Sequence, residues 1–322
     1  MANPPSQEDA SFVIRPASSV AEVRDFWWPL MKELGWNRDQ ADARTHYHVS
    51  RNGSDWLMLA PKYGKPEGCC VAFTYPNGTG WVGFFIVNAV HRGLGHGRAL
   101  LQTVTDSYDA KNISVIGLDG VEEQVKTYER RGFVDIARIK LMTRPSLAEK
   151  PSPWIADPLK DDEEMVDSRG VDFEHIRALD LALNGLDRKL LWSEEALFSR
   201  EDVWAAAIVS RRVESSKKLL GFVLVRRCEH GHRFGPLYAE TYQQAALLLR
   251  RAMENNDGPD GSMIAEVFGS NPKGMKLFQA LGWDYTGLDY HRMWLGGRVP
   301  KEQQDGGLGT KNMYAIFDAS EG

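Results

Sequence analysis

The run Arg92–Gly97 (RGLGHG) is the segment of this chain best suited to hold an anion. It lies between an apolar, strand-like run ending at Val87 and a helix-like run starting near Gly97. A helix start offers about four backbone N–H groups without internal partners, and its dipole favours negative charge. Glycines let the backbone take positive φ and approach a phosphate closely. Strand, glycine turn and helix in that order therefore make a candidate pyrophosphate cradle. The spacing excludes two common users of such a cradle. A dinucleotide fingerprint needs a third glycine where Arg98 stands, and a Walker loop needs a GKS or GKT that is absent. What remains is R-x-x-G-x-G, met by Arg92, Gly95 and Gly97. Metal chemistry is not expected. His46-x-His48 and His230-x-His232 lack the further spaced ligands that would complete a tetrahedral site. Cys69, Cys70 and Cys228 form neither a CxxC knuckle nor a disulfide framework.

The elements that would position this turn read as a mixed α/β domain over residues 1–144. Strand-like runs cover 12–16, 56–60, 68–75 and 81–87, with a hairpin signal at PNGTG (Pro76–Gly80). A helix is predicted over 19–34, where Val20, Val23, Trp27, Leu30, Met31 and Leu34 recur three or four apart. Ser18 or Ser19 can cap it, with Glu22 placed for a capping box and Gly35 as its end. A second helix is predicted over 39–49. After the glycine turn come a helix at 97–110, a strand at 113–118, a helix at 122–131 closed by Gly132, and a strand at 134–142.

Residues 145–166, rich in proline and charge, read as a linker. The half over 167–322 repeats the same order. Helices are predicted at 173–183, 194–198, 242–256 and 272–281, and strands at 203–210, 219–226, 233–239 and 263–267. The tail after Gly296 reads as loop until 314–317. TYERRGF (Thr127–Phe133) and LFQALGW (Leu277–Trp283) lie 150 residues apart and share an aromatic-x-x-x-Gly-aromatic pattern. Together with the matching order of elements, this indicates a duplicated domain.

FFIVNAVHRGLGHGRALL (Phe84–Leu101) and VKTYERRGF (Val125–Phe133) resemble the GNAT superfamily of acyl-CoA N-acyltransferases, over about residues 12–144. The resemblance implies an α/β fold with a mixed sheet, as two tandem GNAT-like domains, and acetyl-CoA as the cofactor. It places the CoA diphosphate on Arg92, Gly93, Leu94, Gly95, His96, Gly97 and Arg98, and the thioester carbonyl on a backbone N–H near Phe85, Ile86 and Val87. Tyr128 stands at the position of the family's general acid, which would protonate the CoA sulfur. Asp119 follows the strand that should splay to admit CoA, and is the residue placed for a base, with a water relay as the alternative. The first two helices and their junction should supply acceptor contacts, drawn from Trp27, Trp28, Trp36, His46, Tyr47 and His48. The implied activity is acetyl transfer to a primary amine of a small molecule such as an amino acid, amino sugar or polyamine. One departure concerns the family asparagine seven residues before the tyrosine, which is Val121 here but is present in the second half as Asn271.

The second half is similar to the C-terminal domains of tandem GNAT proteins through residues 232–252, 271–283 and Tyr290–Trp294 (YHRMW). Glu240 and Thr241 stand where its glycines should be, and a carboxylate repels a diphosphate. This half is therefore expected to pack on the first and shape the acceptor pocket without binding CoA productively. Two other readings remain open at this level: a CoA-binding sensor or assembly module without catalysis, and a protein N-acetyltransferase.

Composition agrees with a globular chain. It has 322 residues, 43% hydrophobic and 26% charged. A net charge of −5 gives no general attraction to nucleic acid or anionic lipid. No apolar run approaches the ~18 residues of a membrane span, and the polar start has no secretory pattern. A cytoplasmic monomer or homodimer is expected.

Overall fold

The computed structural model describes residues 12–153, 157–167, 170–211, 218–256 and 262–322. All of its strands join one sheet, in the order β1-β2-β3-β4-β5-β12-β6-β11-β13-β10-β9-β8-β7. The first half contributes β1 (Phe12–Pro16), β2 (Trp56–Pro61), β3 (Gly68–Thr74), β4 (Thr79–Val87), β5 (Val115–Gly120) and β6 (Phe133–Arg144). The second contributes β7 (Glu163–Asp167), β8 (Val203–Ser210), β9 (Lys218–Arg227), β10 (His232–Ala239), β11 (Met263–Phe268), β12 (Asp284–Leu295) and β13 (Met313–Ala315).

The helices follow their apolar periodicity. In α1 (Val20–Glu33) the buried residues are Val23, Trp27 and Met31, each one turn after the last. Ser19 Oγ accepts from the Glu22 N–H at 3.1 Å, and the Glu22 carboxylate accepts from the Ser18 N–H at 2.7 Å. Arg15 pairs with the same carboxylate and holds its pKa down to about 2. α2 (Asp42–Val49) starts three residues later than its pattern predicts, because Asp39 turns its carboxylate onto the Ala41 N–H at 2.7 Å. The expected helix at 122–131 is a 3₁₀ turn at 122–124 followed by the short α4 (Val125–Glu129).

One face of the sheet carries α3 (His96–Ala110) over the first half, and α6 (Tyr242–Asn255) and α7 (Pro272–Ala280) over the second. On the other face a single core runs through both halves. It joins Trp27, Trp56 and Trp81 to Trp192, Phe222 and Phe317, with α5 (Phe173–Asn184) alongside through Ile176.

The halves do not separate at Arg144. β12, from the second half, pairs antiparallel with β5 of the first, His291 opposite Gly120. β6, from the first half, pairs with β11 of the second, Met263 opposite Arg144. The two exchanged strands also pair with each other from Asp284–Thr143 to Leu295–Phe133. Sequence periodicity did not assign 284–295 as a strand. Five successive residues, Asp284–Leu288, are exposed, so an apolar alternation is missing from its first half. The expected linker 145–166 is also partly ordered: Glu163–Asp167 is the edge strand β7, and residues 154–156 lie outside the described residues.

Two pairs of strands separate partway along. β4 pairs with β5 only at Thr79–Trp81. On its other side Cys69 faces Ile86 and Val71 faces Gly83, so β4 carries one extra residue, and Phe84 within it has φ of 46°. Such a bulge bends the strand and turns it away from its neighbour. In the second half β10 runs with β11 at His232–Phe234, then breaks register between Phe234 and Leu237. There the gap is filled. β13 lies in it, pairing with Leu237 and Tyr238 on one side and Val267 on the other.

Because β6 finds its partners in the second half, residues 1–144 expressed alone should fail to give a cooperative thermal transition by circular dichroism. Co-expression with 145–322 should restore one. A cooperative melt of the isolated piece would contradict the exchange.

Candidate active site

The separation of β4 from β5 opens a cavity of about 340 Å³. Its wall runs from the strand residues Val82–Val87 through Arg92, Gly93 and Gly97, and across to Asp119–Val121, Gln124 and Tyr128. It is closed by Leu34, Trp36 and Arg38 from after α1, Tyr290 from β12, and Ala319 and Ser320.

At one end the β4–α3 turn is built as its sequence suggests. Gly93 has φ of 78° and Gly95 of 89°, conformations that L side chains rarely adopt. An added Cβ at either would meet nothing within 4 Å, so the turn presents open backbone. Gly95 is the N-cap of α3 and supplies no side-chain cap, which leaves the first N–H groups of the helix free for a ligand. Arg92 Nε donates to the Val87 carbonyl at 2.8 Å and ties the turn to the strand end. Arg98, Arg130 and Arg131 gather beside it. The Arg131 pKa is lowered first by burial and then by the other two guanidiniums. None of the three pairs with a carboxylate among the described residues. These groups fit a polyanionic cofactor.

In the middle of the wall, Tyr128 lies against Gly120, where a Cβ would sit 3.0 Å from its ring. It packs edge-on to Phe85 and Phe133. Burial pushes its phenol well up, so it holds its proton throughout the neutral range. Its hydroxyl has no hydrogen-bond partner among the described residues. Asp119 has both oxygens on Arg292, at 2.9 and 2.7 Å. Burial raises its carboxyl and Arg292 works against that.

The cavity gathers part of the expected set. Phe85, Ile86, Val87, Arg92, Gly93, Gly97, Asp119 and Tyr128 line it. Leu94, Gly95, His96 and Arg98 lie on the same turn but outside the wall, with Leu94 66% exposed. Of the acceptor residues expected from the first two helices and their junction, Trp36 lines the cavity, whereas Trp27, Trp28 and His46 do not. Trp27 and His46 are fully buried one layer behind, with rings 5.5 and 4.9 Å from that of Phe84, and Trp28 packs at the margin of the same core. They support the bulged residue instead of meeting a ligand. His46 spends its Nδ1 on Glu321. Sequence reasoning missed Arg38, Tyr290 and Ser320. Tyr290 lies within the quoted YHRMW segment, but its assignment to the first cleft depends on the strand exchange.

Family comparison agrees with this geometry. Residues 20–133 match the model described as Acetyltransferase (GNAT) family, and residues 176–306 match another described as Acetyltransferase (GNAT) domain. The chain belongs to the GNAT family, carries two such domains in tandem, and is an acyltransferase. It is 23% identical over 262 residues to the holothin acyltransferase of Pseudoalteromonas sp. (strain SANK 73390), covering 80% of this chain and 79% of that one. It is 26% identical over 178 residues to the uncharacterized N-acetyltransferase YitH of Bacillus subtilis (strain 168), covering 55% and 57%. Among solved structures, a Pyrococcus horikoshii protein described as a candidate acetyltransferase superposes with a TM-score of 0.72 at 19% identity, over 100% of this chain and 99% of that one. A tandem GNAT protein from the clavulanic acid biosynthesis pathway superposes at 0.55 and 13% identity, over 88% and 98%. No helix among the described residues is long and apolar enough to cross a membrane.

The Asp119–Arg292 pair joins the exchanged strand to the cavity wall, and both side chains are fully buried. Arg292→Met should cost about 3–5 kcal/mol in denaturant unfolding, because it strands a buried carboxylate. The double variant Asp119→Asn/Arg292→Met should recover much of that loss. A fully additive double variant would show that the pair is not coupled.

Proposed function

We propose that the protein transfers an acetyl group from acetyl-CoA to a primary amine of a small molecule, using the first cleft alone. The observation that carries this reading is the free Tyr128 hydroxyl in the wall of a cavity that begins at an open glycine turn. Acetyl-CoA, when bound, supplies an acyl group activated as a thioester.

The chain's residues would divide the work as follows. Backbone N–H groups of Gly93–Gly97, with Arg98, Arg130 and Arg131 nearby, would hold the diphosphate. The strand end at Phe85–Val87 would donate to the carbonyl oxygen, a contact of the kind worth ~3 kcal/mol in a barrier. The amine must reach the cavity neutral, although a lysine-like one in water has a pKa of about 10.4. Tyr128 would give its proton to the departing sulfur. The proton lost by the amine would pass to water, since Arg292 occupies both oxygens of Asp119. Asp119 is then a positioning residue for the wall.

The second cleft is proposed not to take CoA. Thr241 closes α6 with a capping box through Gln244, so two N–H groups of that helix start are already taken by side chains. β13 fills the gap between β10 and β11. Asn271, at the position of the family asparagine, donates to the carbonyls of Met313 and Lys311 at 3.1 and 3.3 Å, and so holds that strand in place. Phe278, at the position matching Tyr128, is buried against Trp283.

Tyr128→Phe should lower kcat about 100-fold or more while leaving the affinity for CoA within twofold, read by steady-state kinetics and calorimetry. The wild-type rate should climb with pH as the amine loses its proton. It should not fall again below about pH 10 on account of Tyr128, because burial favours the protonated phenol. An unchanged kcat in Tyr128→Phe would remove the tyrosine from the mechanism. Binding of CoA without transfer to any amine would favour a sensor.

A further inference from the structure

The end of the cavity away from the glycine turn is rich in hydrogen-bond donors and has no free carboxylate. Arg38 is 4% exposed there, and its Nη2 donates to Ser320 Oγ at 3.1 Å. That hydroxyl keeps its own proton to give. Tyr290 lines the same end, and its hydroxyl makes no hydrogen bond to a described residue. Among the described residues of the wall the only acidic one is Asp119, and Arg292 holds both its oxygens. Behind the wall the Asp318 carboxylate serves both Arg38 and Arg226, and Glu266 and Asp42 act on Arg38 from further off, so Arg38 belongs to a mixed buried network and has no carboxylate to itself. Burial, followed by repulsion from Arg233, holds the Arg38 pKa down to about 10. An anion in the cavity would act against both effects by favouring the charged guanidinium.

These features sort the amines that could act as acceptors. A polyamine brings further positive charges and would find a guanidinium and no free counter-ion. An amino sugar without an acid group would bring no anion to Arg38. We infer that the acceptor is an amino acid or a close analogue, whose carboxylate is received by Arg38, Tyr290 and Ser320 while its amine points toward the Phe85–Val87 end. This inference rests on the proposed acyl-CoA reading and deepens it. It also assigns the second half a direct part in specificity, because Tyr290 arrives on the exchanged strand β12 and Ser320 on the segment following β13. The close seat of that segment is visible at Gly83, where a Cβ would stand 2.4 Å from the Ser320 carbonyl oxygen.

The test compares acceptors that differ only in the acid group. Acetyl transfer would be measured for a panel of α-amino acids, each beside its primary amide and its decarboxylated amine, with spermidine and glucosamine included. With the wild-type protein, the best acceptor should lose at least 30-fold in kcat/KM when its carboxylate becomes an amide. Tyr290→Phe should lower kcat/KM about 10-fold for the acid and less than twofold for the amide, as expected for a lost hydrogen bond to a charged group. Arg38→Gln should abolish the preference for the acid. The wild-type comparison needs no variant and stands even if Arg38→Gln fails to fold.

Equal or better transfer to the amide, to the decarboxylated amine, to spermidine or to glucosamine would overturn the inference, as would no transfer to any amino acid. Acetyl-CoA affinity measured in parallel separates the two levels of the argument. Retained affinity with the wrong preference defeats the acceptor assignment alone. Absent affinity defeats the acyl-CoA reading beneath it.

Discussion

One extra residue in β4 is the constraint on which the site depends. A strand that gains a residue relative to its neighbour cannot keep its ladder, and the backbone must turn aside. Phe84 takes the positive φ that this requires, at a position where no glycine absorbs the strain. Its ring is braced by Trp27, His46 and Trp56. The aromatic cluster behind the sheet is thus mechanically part of the site although none of Trp27, His46 and Trp56 reaches the cavity. Once β4 leaves β5, the strand end, the glycine turn and the start of α3 become the wall of an open slot.

The same device occurs twice with opposite outcomes. In the second half the break in β10 opens an equivalent gap, and β13 occupies it with backbone hydrogen bonds on both sides. The asparagine that would suit a ligand is turned to hold that strand. The chain then runs on through Phe317 and Asp318 to Ser320 at the first cleft, anchored by Arg226 to the Phe317 carbonyl and by Trp81 Nε1 to the Ala319 carbonyl at 2.9 Å. The segment after β13 thus brings residues of the second half to the first cleft. The exchange of β6 and β12 deepens that dependence, since each half takes a sheet neighbour from the other.

Much of this was legible in the sequence, and the boundary between the legible and the hidden has physical causes. Local signals were read well. The helix at 20–33, its serine cap, the glycine turn and the strands at 56–61 and 68–74 all follow from periodicity and capping over short windows. The GNAT resemblance also rested on local motifs and holds for both halves. What could not be read was long-range pairing. Asp284–Leu295 carries no apolar alternation in its exposed first part, and nothing local says that it crosses to β5. The acceptor end suffered for the same reason. Trp27, Trp28 and His46 look like pocket residues because aromatics and histidines often are, yet Trp27 and His46 are buried behind the wall and Trp28 packs at the margin of that core. Arg38, Tyr290 and Ser320, which line the cavity, come from three distant stretches and share no pattern.

The central claim is that a single cleft accepts the acyl carrier while its twin is filled by the chain itself. Calorimetric titration of the full chain with CoA, on wild type and on Gly95→Val, tests this most directly. The account requires a stoichiometry of one per chain, lost or weakened at least tenfold when the left-handed glycine at the helix start is replaced. Two sites per chain, no binding by the wild type, or undiminished binding by the variant would contradict it.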